Sequence, residues 1–392
     1  MKKRILLIFP HNFFELKSGV HVRLNNLCKY LRSRSYLIDL FALKNYESKW
    51  LPTDPMDKKI ISKLYLYDWL DKLKEVENYN KGIKAKIKKI LKIGKNKKNI
   101  IPDLTSEGMK KQFNQIVSAN KYSFVIVAYV YWASLIDKES SSRAKNIILL
   151  EDFLSIQEHT YNKETTDLAG SIEEEIRRIN LFDIAMSVSE FEYAFFSQFS
   201  THTKHFQIPI FMKKRNLIKK TRKKYDVSFI GFNNIHNING VNWFLDKVYP
   251  LLPKSVKIAI VGKVNDKINK LNKKNINYIP YIKNLDDLYM NTKVIISPLF
   301  SGTGLKVKIV EAASYGVPVV STTQSLVGFP QKENNGCVIA DYPSDFANSI
   351  VKLLSNKKYY RKKSDESLNF FLTYFEEKKI HVKLDKIFNQ FD

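Results

Sequence analysis

Residues 301–322 read SGTGLKVKIVEAASYGVPVVST. Two glycines, a threonine and two lysines stand immediately ahead of a helix-forming run that carries one acid, Glu311. Gly302 and Gly304 let a backbone pass close to a ligand, and a helix start offers free N–H groups at the positive end of its dipole. Lys306 and Lys308 add point charges within the first turn and a half, so the stretch suits a diphosphate. Lysines at a helix start are electrostatically unhelpful to the helix itself, which points the same way, toward something anionic. The same residues also fit an ordinary turn between a strand and a helix. Neither phosphate fingerprint is present: G-x-G-x-x-G lacks its third glycine, and there is no G-x-x-x-x-G-K-[ST].

The elements that must position this stretch follow from periodicity. KVIISPL ends a strand at Leu299, a loop runs from Phe300 to Gly304, and the helix closes at Gly316 with Pro318 beyond, the usual stop signals. Ile309, Val310 and Ala313 face the sheet, while Lys308, Glu311 and Tyr315 share another side. Upstream, strand RILLIFP (4–10) precedes a loop and the helix VHVRLNNLCKYLRSR, in which Val20, Leu24, Leu27 and Leu31 fall at helical spacing. Short β-rich runs follow at YLIDLFAL, FVIVAYV, NIILLED and IAMSVS, separated by helical segments. The second half repeats the rhythm: DVSFIGF, the helix GVNWFLDKVYPLL, VKIAIVG, NINYIPYI, the helix NLDDLYMN, KVIISPL, VPVVST, GCVIA and the helix PSDFANSIVKLLSN. This alternation predicts parallel sheets with crossover helices, hence an α/β protein of two Rossmann-like domains. The expected boundaries are 1–212, a basic linker at 213–225, 226–372, and a C-terminal helix at 373–392 that crosses back to the first domain. Ligands in such sheets sit beyond the carboxyl ends of the strands, here in an interdomain cleft.

With 392 residues, two domains are the natural expectation, and 44% apolar residues suffice for two cores. The two cysteines, Cys28 and Cys337, give neither a disulfide framework nor metal-ligand spacing, which fits a reducing compartment and no metal. The apolar run at the start is too short for a signal core or a membrane span, so the expectation is a cytoplasmic protein. A net charge of +26 suggests a polyanionic partner, although a lysine- and asparagine-rich bias runs throughout. Nucleic acid is set aside because zinc spacing, an RNP-like aromatic block and a helix-turn-helix are all absent from the sequence.

The stretch SPLFSGTGLKVKIVEAASYGVPVVST, preceded by VSFIGFNNIHNINGVNWFLDKVYPLL and IAIVG, resembles the C-terminal half of a family 4 (group 1) glycosyltransferase of GT-B fold. EEEIRRINLFDIAMSVSEFE resembles the last strand region of that family's N-terminal domain. The resemblance implies a retaining glycosyltransferase that moves a sugar from a nucleotide-sugar donor (a UDP- or GDP-sugar), with no further cofactor required. The acceptor would be a glycan, lipid-linked, in bacterial surface polysaccharide biosynthesis. Glu311 would accept hydrogen bonds from the donor's ribose hydroxyls, because a carboxylate offers acceptors only and a vicinal diol offers two donors. Gly304, Leu305 and Lys306 would supply backbone N–H groups to the diphosphate, with Lys306 or Lys308 offsetting its charge. Gly231, at the end of the second domain's first strand, and Gly19, in the first loop, would let the backbone approach the donor.

Three departures from the family pattern stand out. Thr303 occupies the place where many relatives carry a second glutamate, eight residues before the ribose glutamate, so the sugar contact would fall to Thr303 or to backbone. In GFNNIHNINGVNWF the usual Arg and Lys are absent, leaving His236 and Asn237. In NIILLEDFLSIQEH the family's His-Asp pair reads Glu151-Asp152, and Asp152 is the candidate for the acceptor side. Two alternatives stay open: a sugar-nucleotide epimerase of the same fold, and a non-catalytic partner subunit of a glycosyltransferase complex.

Residues 81–98, KGIKAKIKKILKIGKNKK, hold nine lysines and no acid. Ile83, Ile87, Ile90 and Leu91 fall on one helical face, the pattern of a helix lying on an anionic membrane surface. A packed helix with a solvated lysine face is the other reading of the same residues.

Overall fold

A computed structural model describes residues 3–15, 18–44, 60–69, 100–137, 144–162, 166–215 and 223–391. The lysine-rich segment 81–98 and most of the segment read as a linker, residues 216–222, lie outside the described residues. The chain divides into two compact units, residues 1–208 with 387–392 and residues 209–386.

The first unit is built on a parallel sheet. Its strands are β1 (Arg4–Ile8), β2 (Leu37–Lys44), β3 (Lys63–Asp68), β4 (Phe124–Ala128), β5 (Lys145–Leu150), β6 (Ile184–Ser187) and β7 (Lys204–Gln207). They lie in the order β3-β2-β1-β4-β5-β6-β7. The central strands are apolar along their length because helices cover both faces of a parallel sheet. Ile5, at zero exposure, is paired with Ile38 and Phe124, which are equally buried. Parallel neighbours need crossovers, supplied by α1 (Gly19–Ser33), α2 (Glu107–Ala119), α3 (Leu154–Tyr161), α4 (Leu168–Ile179) and α5 (Glu190–Phe199). Ser18, Ser106, Asp167 and Ser189 cap the starts of α1, α2, α4 and α5 with their side chains. At α5 the cap is reciprocal, since Glu192 reaches back to the Ser189 N–H.

The second unit repeats the plan with β8 (Tyr225–Ile230), β9 (Ile258–Val261), β10 (Ile276–Ile279), β11 (Thr292–Ser297), β12 (Val319–Ser321) and β13 (Cys337–Ile339). The order is β10-β9-β8-β11-β12-β13, again parallel. In both units the strand order reverses beside the first strand, between β1 and β4 and between β8 and β11, the place where doubly wound sheets bind their ligands. The unit's helices are α6 (Ile235–Trp243), α7 (Leu285–Tyr289), α8 (Val307–Ser314), α9 (Pro343–Ser355), α10 (Lys357–Tyr374) and α11 (Glu377–Gln390). The end of α11 belongs to the first unit, where Phe388 sits edge-on to Phe124 at 4.9 Å.

One expected helix moves. The sequence placed it at 240–252, but α6 begins at Ile235 and gives way to a π-type turn over Phe244–Val248. Asn234 makes the earlier start workable by accepting the Asn237 N–H at 2.9 Å. Gly240 then lies against the Pro298 carbonyl so closely that any Cβ would collide with backbone. That approach brings the first turn of α6 beside the loop after β11.

Candidate functional site

The site is built on the carboxyl ends of β8 and β11. β11 delivers Pro298 to Lys306 as a loop, held from behind by hydroxyls. Ser325 Oγ donates to the Ser297 carbonyl at 2.5 Å, and Thr322 Oγ1 donates to the Leu299 carbonyl. Gly302 adopts φ +99°, a conformation that only glycine enters without strain. Its carbonyl accepts from Gln324 Nε2 at 3.2 Å and from Lys306 Nζ at 2.9 Å, and Lys306 also reaches the Gly304 carbonyl. Lys306 thus braces the loop that sequence reasoning assigned to an anion, and places a positive charge on it. Thr303 is half-buried between the two glycines, and Leu305 is 8% exposed.

The first turn of α6 meets this loop. His236 Nδ1 lies 2.5 Å from Ser301 Oγ. Burial, and then the Lys306 charge, hold the His236 imidazole below the usual histidine range. Lys308, in the first turn of α8, sets its ammonium 2.8 Å from Asn237 Oδ1 and 3.9 Å from the centre of the Phe229 ring. Desolvation, reinforced by Lys306, brings Lys308 down to about 7. Gly231 follows β8, where an added Cβ would strike the Asn237 side chain. Two helix starts, two lysines, a histidine and a positive-φ glycine therefore surround one spot.

One turn beyond Lys308, Glu311 is half-buried on α8. Its Oε2 accepts the hydroxyl of Tyr289 at 2.6 Å. Tyr289 is fully buried and stacks on Tyr315, with ring centroids 5.0 Å apart and planes 14° from parallel. Tyr315 donates its hydroxyl to Asp286, and Arg215 lies 3.6 Å from the same carboxylate. The Arg215 guanidinium also stands 5.6 Å from the Tyr315 ring centre. Desolvation raises the Glu311 carboxyl above its usual range; the Tyr289 hydrogen bond, Arg215 and Lys308 oppose it.

Of the residues singled out in the sequence, Gly231, Gly302, Thr303, Gly304, Leu305, Lys306, Lys308 and Glu311 come together in the second unit. Asp152 and Gly19 belong to the first. There Gly19 opens α1, just after its Ser18 cap. Asp152, two residues past β5, lies among Glu151, Glu192 and Tyr129 and raises the ionisation range of both Glu192 and Tyr129, burial being the larger cause in each. Arg23 occupies the middle of this edge. It pairs with Glu151 at 2.8 Å and donates to the carbonyls of Leu150, Met186 and Ile208 at 3.0–3.1 Å. The sequence reading missed Tyr289, Asp286, Arg215 and Arg23, whose partners are far away in the chain; only Tyr315, at i+4 from Glu311, gave a signal.

Residues 224–356 match the family described as Glycosyl transferases group 1. Sucrose-phosphate synthase from Thermosynechococcus elongatus superposes with a TM-score of 0.69 at 12% identity, covering 99% of each chain. The chain has the GT-B fold, and the family match falls within its second unit. The resemblance read from the motif at 297–322 is thereby borne out. TarM from S. aureus, in a variant complexed with Fondaparinux, alpha-GlcNAc-glycerol and UDP, superposes with a TM-score of 0.70 at 14% identity over 99% of this chain and 100% of that one. HepE from Anabaena, in complex with UDP-glucose, gives 0.66 at 13% identity, covering 99% of each chain. In sequence, an uncharacterized 44.6 kDa protein in the cps region of Klebsiella pneumoniae is 23% identical over 164 residues. That alignment spans 38% of this chain and 42% of the relative. The matched residues include Gly231, the whole 300–311 constellation and its Tyr289–Tyr315 support.

Proposed function

We propose that the protein is a retaining glycosyltransferase that takes a sugar from a nucleoside-diphosphate donor and places it on a glycan acceptor. The convergence of the α6 and α8 starts on the loop at Gly302 carries this reading. Two sets of free N–H groups, Lys306 and Lys308 make a seat for two phosphates, and Glu311, farther along α8, offers acceptor oxygens to a ribose diol. A transfer of this kind needs the leaving diphosphate stabilised and an acceptor hydroxyl held in place, work done by fixed charges and dipoles. Relatives of the same fold bound to UDP and UDP-glucose support a UDP-sugar as donor. The relative encoded in a cps region supports surface polysaccharide as the product, and a lipid-linked glycan as the acceptor extends that reading. On the acceptor side, Asp152 would accept a hydroxyl proton or orient the hydroxyl; in the donor site, Thr303 would meet the sugar.

Membrane contact belongs to the same proposal through residues 81–98, on their lysine content alone. Among the described residues no helix is long and apolar enough to cross a membrane. Flotation with anionic liposomes tests this contact: charge reversal across 81–98 abolishes co-flotation if the segment binds the surface.

Incubation with UDP- and GDP-sugars, followed by mass spectrometry, tests the activity. Donor hydrolysis or transfer is the expected result. Tight nucleotide binding with neither reaction would replace the enzyme with a binding-only partner subunit, the reading that Thr303 and the missing histidine beside Asp152 favour.

A further inference from the structure

Glu311 is one of a cluster whose other members come from three separate places in the chain. Tyr289 and Asp286 lie on α7, Tyr315 ends α8, and Arg215 lies in the segment that enters the second unit. Their contacts form one line: Arg215 to Asp286, Tyr315 to Asp286, Tyr289 stacked on Tyr315, and the Tyr289 hydroxyl on Glu311. A fully buried tyrosine ring held flat against another has no freedom to swing, so the direction of its O–H bond is set by packing. That bond ends on Glu311 Oε2, and it occupies one of the two oxygens that a vicinal diol would use.

We propose that Tyr289 is a positioning residue for Glu311: its hydroxyl fixes the rotation of the carboxylate so that Oε1 is presented to the ribose diol of the donor. This inference rests on the reading of Glu311 as the ribose ligand and adds to it the residue that aims the carboxylate. The bond has a second consequence. It favours the charged form of a group that desolvation pushes toward the neutral one. The other charges acting on Glu311 are Lys308, on α8, and Arg215. Lys308 and Arg215 act in the same sense as Tyr289.

The experiment is a titration of UDP into the full chain, in wild type, Tyr289→Phe, Tyr315→Phe, Glu311→Gln and the double variant Tyr289→Phe/Glu311→Gln, repeated from pH 5 to 8. Tyr289→Phe keeps the stacked ring and removes only the O–H. It is expected to weaken UDP about tenfold, as loss of a hydrogen bond to a charged group does. It is also expected to move the acid limb of binding to higher pH, because Glu311 then takes up its proton sooner. Tyr315→Phe, which removes a bond to Asp286 and none to Glu311, leaves affinity within about twofold and controls for lost packing. The double variant binds no worse than Glu311→Gln alone. If Glu311→Gln weakens UDP but Tyr289→Phe changes neither affinity nor the acid limb, the positioning role is wrong and the ribose reading stands. If the two losses multiply in the double variant, Tyr289 acts elsewhere and the inference fails. If Glu311→Gln binds as wild type does, the ribose reading falls and takes this inference with it.

Discussion

The two sheets share one strand order, yet their carboxyl edges differ in chemistry. In the second unit the edge presents Lys306, Lys308, His236 and the positive-φ backbone of Gly302. In the first unit the cation at the edge, Arg23, is 2% exposed and spends its donors on three carbonyls and Glu151. Around Asp152 the groups are acidic and aromatic: Glu192, Tyr129 and Tyr131. Burial pushes Glu192 up to about 8, whereas in the second unit burial pulls Lys308 down to about 7. Each edge thus keeps an ionisable group in a desolvated place, a carboxyl in the first unit and an ammonium in the second. Topology says where a ligand can sit; the residues say which one. On the proposed function the second edge would take the diphosphate and the first the hydroxyls of an acceptor.

Four substitutions break or sharpen this contrast. The largest effect is expected from Arg23→Met, which leaves Glu151 buried without its partner. Removing one member of a buried pair costs about 3–5 kcal/mol, to be read as a lower urea midpoint, while UDP affinity of the folded variant stays at the wild-type value. A matching loss of UDP affinity would mean that the first edge also holds the donor.

Lys308→Met comes next, with UDP binding weaker by about tenfold. The lysine's range is lowered in the free protein and rises when an anion is bound. Wild-type affinity is therefore highest below pH 7 and declines above it, and Lys308→Met abolishes the decline. Titrations at pH 6, 7 and 8 check both the size and the sign.

Glu192→Gln acts on stability alone. A carboxyl raised in the folded state contributes stability at low pH that is lost as pH rises from its unfolded value toward about 8. The variant's melting temperature is accordingly flatter across pH 5–8 than that of wild type. An unchanged slope would show that Glu192 is ionised throughout. Gly302→Ala is the mildest, a strain of roughly 1 kcal/mol at φ +99°. A few-fold loss of UDP affinity is expected if the loop geometry serves the phosphates, and none if the loop is only a turn.

Much of the donor-side arrangement was legible because it is local. Glycine signals, the i, i+3 and i+4 relation of Lys308, Glu311 and Tyr315, and the stop at Gly316 (φ +61°) all lie within one strand–loop–helix unit. The alternation of strands and helices likewise carried the fold class. Strands β3 and β7 escaped because they form the sheet's outer edges and are only partly buried, so KLYLYD and KHFQ show no continuous apolar run. The true start of α6 escaped because NNIHNING is rich in residues that disfavour helix interiors; the cap at Asn234 and the contact of Gly240 with Pro298 override propensity. Tyr289, Asp286 and Arg215 could not be found by spacing at all. They reach Glu311 and Tyr315 across 22 to 100 positions of sequence, and only folding brings them together.

The central claim is that Glu311 and the loop before it hold a nucleoside diphosphate, and a calorimetric titration of UDP and of GDP into wild type and Glu311→Ala tests it most directly. The account predicts saturable binding of one of the two to wild type and a loss of at least tenfold in the variant. Equal affinity in the two proteins, or no binding of either nucleotide to wild type, would contradict it.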